Sequence, residues 1–201
     1  MNENLLKAQY DVTRKSAIKK FYETNKILIF SAISILIIAI ASVSFYLESK
    51  EKKKILLSED YIAAKVYLEN GDKNNAKNIL KTIVYANNST YSTLSLFLIL
   101  NENLITDQVE LSNLFDHVLK NNKFEKEIKN LIIFKKALFQ SNFVNELELL
   151  EAVKPLINSE TVWRPHSLLL LGDYFASKKE YLKAKELYNQ ARSRLIFVAN
   201  D

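Results

Sequence analysis

Residues 168–191 read LLLLGDYFASKKEYLKAKELYNQA. Apolar residues recur at spacings of three and four on either side of a polar step at Ser177–Glu180, which predicts two helices joined by a tight turn. Small and aromatic residues alternate along them: Leu171-Gly172 and Phe175 on the first helix, Ala184, Tyr188 and Ala191 on the second, with Tyr181 opening it. The physical sense is packing. Gly172 and Ala184 let two helices approach closely, and Phe175 and Tyr188 fill the space between hairpins.

These six packing positions stand at the offsets of the tetratricopeptide repeat, which the segment resembles. The proline usual after the second helix is absent, and Ile196 stands near that place. Working outward, the chain past Lys54 reads as eight helices near 48–70, 73–86, 90–103, 108–121, 125–141, 144–156, 162–177 and 181–196. Asn, Asp, Ser and Gly clusters separate them, as at Asn70-Gly71-Asp72, Asn87-Asn88-Ser89 and Asn121-Asn122. The first hairpin is a degenerate copy of the last, through Ala64, Tyr67, Gly71, Ala76, Leu80 and Ile83, with Tyr67 read as structural. The middle two are weaker: Ile99, Leu111, Phe115 and Val118 in one, Leu138, Leu147 and Leu150 in the other. The expected class is all-α, with about four hairpins stacked as a right-handed tetratricopeptide-like solenoid over residues 48–201. Leu94–Leu100 (LSLFLIL) and Leu131–Phe134 (LIIF) are apolar almost all round. Burial between neighbouring hairpins is the preferred reading, and an exposed groove for client segments is the alternative.

Two Gly, two Pro and no Cys in 201 residues leave few breakers. The glycines are a hundred residues apart, which excludes a dinucleotide fingerprint or a phosphate-cradling loop. The lack of Cys excludes disulfides, cysteine-based zinc sites and thiol nucleophiles. The net charge of +5 is uneven. Residues 1–54 carry ten Lys/Arg against five acids, and residues 55–201 carry 18 of each. A nucleic-acid binder should carry its basic stripe on the folded domain, so no nucleic-acid partner is expected.

The excess charge flanks Ile27–Leu47, ILIFSAISILIIAIASVSFYL, 21 residues without a charge. As a helix they span about 31 Å, the thickness of a bilayer's hydrocarbon core. Phe21-Tyr22 and Phe45-Tyr46 stand near its ends as interfacial aromatics do. Ala39-Ile40-Ala41 resembles a signal-peptidase site, but the run continues to Leu47 and 26 residues precede it, so an uncleaved anchor is the better reading. The expected organisation is a basic tail at 1–26, a transmembrane helix at 27–47 and a repeat domain at 48–201. Six basic residues before the span against four within 50–54 predict a cytoplasmic N-terminus. In a bacterium this is a single-pass inner-membrane protein with a periplasmic repeat domain.

No constellation of catalytic residues stands out. His117 and His166 have no partner spaced to complete a metal pair. Glu125/Glu127 and Glu146/Glu148 are spaced to opposite helix faces, where sharing a proton is hard. Lys178-Lys179-Glu180 reads as a solvated face, Trp163 as packing between hairpins and Pro165 as a first-turn residue. The chain is therefore read as a non-enzyme, with no catalytic, cofactor or metal residues and no small-molecule substrate.

Taken whole, the chain resembles the membrane-anchored tetratricopeptide-like family that includes the ancillary subunit of the bacterial Sec translocon. Local similarities lie in Ala64-Lys65-Val66-Tyr67 with Gly71-Asp72, in Tyr91-Ser92-Thr93-Leu94-Ser95, and in Leu169–Phe175. The resemblance implies a periplasmic domain beside the Sec channel that contacts translocating chains and periplasmic chaperones, and it implies no catalytic residues. Candidate partner contacts are Tyr91, Phe97, Tyr174 and Tyr181. An envelope-assembly or cell-division scaffold would be built from the same parts.

Overall fold

With so few breakers, helices extend until a polar cluster offers the backbone another partner. The computed structural model describes the backbone of residues 3–198 and the side chains of residues 19–193. The tail residues Lys7, Arg14 and Lys15, and Ile196, have their side chains outside that range. The described residues form eight α-helices and no strand: α1 Glu3–Glu69, α2 Lys73–Tyr85, α3 Ser89–Asn101, α4 Gln108–Asn121, α5 Lys126–Gln140, α6 Glu146–Ile157, α7 Arg164–Ser177 and α8 Tyr181–Val198. By contacts between Cα atoms the chain forms two compact units, Met1–Ile55 and Leu56–Asp201.

The first unit is helical throughout its described length, and α1 holds the apolar run. No Gly or Pro interrupts α1, so the change from apolar to charged sequence at Glu48 is not a structural break. The run is long and apolar enough to cross a membrane, and its hydrophobic side chains stand exposed, from Ile27 to Leu47. Two of its serines bond inward: Ser31 Oγ donates to the Leu28 carbonyl at 3.1 Å and Ser42 Oγ to the Ile38 carbonyl at 2.8 Å, so both hydroxyls are satisfied within the helix.

In the second unit the starts of α2, α3, α4 and α6 are fixed by side-chain caps, whereas α5 begins after Glu125 without one. Asp72, Asn88, Asp107 and Asn145 accept backbone N–H bonds at the starts of α2, α3, α4 and α6. At α6 Glu148 reaches back to the Asn145 N–H and completes a reciprocal pair. Pro165 lies in the first turn of α7, where no N–H is required. Gly71, at φ +78°, makes the turn after α1, and Asn87 and Asn103 take the left-handed region after α2 and α3. Lys179 does the same after α7 at φ +66°, so the Lys178-Lys179 step is the cap of a helix as well as a solvated face.

Successive helices pack on one another from α2 to α8, and α2 also meets α4. Two apolar clusters result. The first joins Ala64 of α1 to Leu80 and Ile83 of α2, Leu96 and Ile99 of α3, Leu111, Leu114, Phe115 and Val118 of α4, and Ile132 of α5. The second joins Ala137, Leu149 and Val153 to Leu170, Leu171, Tyr174, Phe175 and Ala184 across α5–α8. The third hairpin differs from the sequence reading. Leu138 and Leu147 are exposed, while Ala137 and Leu149 point inward. A shift of one residue turns a helix by about 100°, enough to exchange an inward position for an outward one. Tyr67 is also exposed and belongs to neither cluster, so in the first hairpin the packing is done by Ala64, Ala76, Leu80 and Ile83 without it.

Candidate functional site

The residues of the last hairpin come together where α7 packs on α8. A Cβ built on Gly172 would lie 2.7 Å from Cδ1 of Tyr188 and closer still to Cε1, so the ring occupies the space a side chain would need. Leu171, Phe175, Ala184 and Ala191 are buried around this contact. Tyr188 Oη donates to Asp173 Oδ1 at 2.8 Å, and this bond to a carboxylate raises the phenol's pKa above the ordinary tyrosine value. Lys183 lies 4.7 Å over the Phe175 ring and pairs with Glu180 at 2.7 Å. These contacts hold α7 and α8 together.

The four candidate contacts separate. Tyr174 is buried in the second cluster, its hydroxyl donating to the Val144 carbonyl at 3.4 Å, so it packs and is not available to a partner. The reason is geometric: on the same helix as Leu170 and Leu171, it falls on the flank that faces α5 and α6. Tyr91 is half-buried against the first cluster, its ring 6.2 Å from that of Tyr61, whose own burial raises its pKa. Tyr181 is exposed. Phe97 is half-buried and lines a groove.

That groove is a concave feature of the second unit with a volume of about 580 Å³. Thr90, Leu94 and Phe97 of α3 form one wall; Phe124, in the loop before α5, and Ile128 and Leu131 of α5 form the other. It exists because α3 and α5 both pack on α4 and do not pack closely on each other. The apolar stretch LSLFLIL therefore has two fates. Ser95, Leu96 and Ile99 are buried, as is Ser92 just before them, whereas Leu94 is exposed on the groove side. Ser92 Oγ donates to the Ile83 carbonyl at 3.0 Å, which fixes α3 on α2 and turns Leu94 and Phe97 outward. Ile128, across the groove, is also exposed. Lys123 and Glu125 stand at one end, so the lining is apolar with a mixed polar rim.

Two side-chain networks hold the walls, and sequence reading missed both. Thr161 Oγ1 donates to Glu127 Oε2 at 2.6 Å and accepts from Asn130 Nδ2 at 3.0 Å, while Trp163 Nε1 donates to the Glu127 carbonyl at 3.1 Å. Trp163 also stacks on Phe134 at 5.5 Å, so it packs as expected, and it clamps the start of α5 to the loop before α7. On α4, Lys136 of α5 pairs with Asp116 at 2.6 Å, and Glu110 accepts a hydrogen bond from Lys81 of α2 that raises the lysine's pKa. The partners are about 20 to 36 residues apart in sequence, beyond the reach of any helical spacing rule.

The histidines do not converge. His117 shares hydrogen bonds with Asn87 at 2.8 Å and Asn121 at 3.2 Å and meets the Tyr85 ring edge-on. His166 is exposed beside Phe134 and Trp163. Among the described residues no group of three or more His, Asp or Glu side chains could hold a metal ion. Comparison with known protein families, curated proteins and solved structures finds no match to the chain.

Proposed function

We propose that this protein is a membrane-anchored protein–protein interaction module whose repeat domain binds apolar segments of other proteins in the α3–α5 groove. The observation that carries the reading is the pairing, in one chain, of an exposed membrane-length apolar helix with an open apolar groove in a separate compact unit. An apolar cleft with few polar groups suits side chains of a polypeptide better than a charged or polyhydroxylated ligand. Tethering would act through effective concentration: weak contacts become intramolecular once client and module share a membrane patch. Phe97 and Ile128 supply apolar contact area, and Thr90 supplies a hydroxyl for a client backbone.

The neighbour we propose is the Sec translocon, with translocating chains and periplasmic chaperones as clients, on the strength of the tetratricopeptide-like hairpin at 168–191 joined to an N-terminal anchor. In this reading α1–α8 past residue 48 form a right-handed solenoid of four hairpins, the tail is cytoplasmic, and the repeats are periplasmic at the inner membrane. The test is light crosslinking in cells, detergent solubilisation and identification of what co-purifies with the C-terminally tagged full chain. A secreted version of residues 55–201 serves as comparison. The reading expects Sec channel subunits with the full chain and their loss from the secreted version. Division or outer-membrane assembly proteins in place of the channel would show that the neighbour is wrong.

A further inference from the structure

The two ends of the apolar run are charged differently. On the far side of Leu47 lie Lys50, Lys52, Lys53 and Lys54 against Glu48 and Glu51. Lys52 is taken up by Glu48 at 2.8 Å. Among the described residues Lys50, Lys53 and Lys54 make no ion pair, and all three are exposed. At 3.6 residues per turn they fall within an arc of about 100° that also contains Tyr46. The ammonium of Lys50 lies 5.8 Å over the Tyr46 ring, which puts that charge directly beside the interfacial aromatic. With a rise of about 1.5 Å per residue, Lys50, Lys53 and Lys54 stand about 4 to 11 Å beyond Leu47 along the axis, the depth of a phospholipid headgroup layer. The opposite flank is looser: Lys19, Lys20 and Lys26 are spread over eight positions with Glu23 among them.

Resting on the membrane reading above, we infer that Tyr46, Lys50, Lys53 and Lys54 form a binding face for the phosphate groups of anionic phospholipids, in the leaflet into which the C-terminal end of the span opens. Lysine presents a flexible point charge with three donors, suited to phosphates that move laterally past a helix. Tyr46 sits at the apolar boundary where the glycerol backbone lies, and its ring holds Lys50 near that level. The face selects charge and not acyl chain, because nothing in it is concave.

The test uses the purified full chain in a non-denaturing detergent, incubated with phosphatidylglycerol and phosphatidylcholine of identical acyl chains, with bound lipid counted by native mass spectrometry. The inference expects phosphatidylglycerol to be retained over phosphatidylcholine by at least about threefold, a modest return on three lysines near a headgroup layer. The preference should disappear in K50Q/K53Q/K54Q and persist in K73Q/K120Q/K129Q, which removes the same charge from the second unit. It should also survive excess inorganic phosphate. No preference in the wild type, its persistence in the first variant, equal loss in the second, or its abolition by inorganic phosphate would each overturn the inference. Alkaline carbonate extraction of cell membranes separates the two levels. A chain released by carbonate overturns the membrane reading and this inference with it. A chain retained in the membrane without a lipid preference overturns this inference alone.

Discussion

The last hairpin and the α3–α5 region are built from similar residues and end differently. Between α7 and α8 a glycine removes the only obstacle to contact, and the Tyr188 ring moves into the space over Gly172. Between α3 and α5 no such pairing exists, and α4 holds the two apart. Leucine, phenylalanine and isoleucine that would otherwise be core are left lining an open groove. Apolar character alone does not bury a helix face: Leu94 and Ile128 stay exposed because α3 and α5 do not pack closely on each other, whereas α7 and α8 meet at Gly172 and Tyr188.

The comparison can be broken first at the core common to both groove walls. Phe115 is fully buried on α4 and stacks on Phe139 at 6.3 Å. Phe115→Ala should cost about 3–5 kcal/mol in denaturant unfolding of the chain, because both the transfer and the cavity terms apply. A loss under 1 kcal/mol would mean that α4 does not hold α3 and α5 in place. Gly172→Ala comes next. Its methyl must displace the Tyr188 ring and strain its bond to Asp173, at about 1–3 kcal/mol. Adding Tyr188→Ala should recover part of that loss, and strict additivity of the two changes would refute the close contact.

A smaller effect is expected from pH. Tyr188 has its pKa raised by the bond to Asp173, so the folded state favours the neutral phenol. Its contribution is complete below the unfolded tyrosine value and is lost as pH rises through the higher folded value. The size is small because the pair is solvent-exposed. Thermal melts above pH 10 should show a downward slope that Tyr188→Phe reduces; an unchanged slope would remove Tyr188 from the account. The smallest change in stability is expected at the groove itself. Leu94→Gln with Ile128→Gln alters exposed side chains and should leave unfolding within about 0.5 kcal/mol of the parent.

Much of the helix layout was legible in the sequence. The turns at Gly71, Asn87 and Asn121 carry their own punctuation, and Asp72, Asn88, Asp107 and Asn145 are residues that cap helices by side-chain chemistry. The sequence reading set Tyr188 between hairpins, whereas its ring fills the space over Gly172 within the last one, a contact that spacing alone does not specify. The groove was legible only as the alternative to burial, because LSLFLIL is apolar almost all round and the side that faces α2 is set by contacts such as that of Ser92 with the Ile83 carbonyl. The clamp of Glu127, Asn130, Thr161 and Trp163 was not legible, since it joins α5 to the loop before α7, more than thirty residues on. Tyr174 was misjudged because an aromatic beside a motif phenylalanine carries no signal of which flank it takes.

The groove as a client site on a membrane-held module is tested most directly by site-specific photocrosslinking in cells. A photoreactive residue is placed singly at Leu94, at Ile128, or at Val109, an exposed apolar position of α4 outside the groove lining. The account predicts that Leu94 and Ile128 give discrete adducts with other proteins in the membrane fraction, that Val109 gives few or none, and that the adducts vanish from the exported 55–201 chain. Equal labelling from Val109, or no adducts from either groove position, would contradict it.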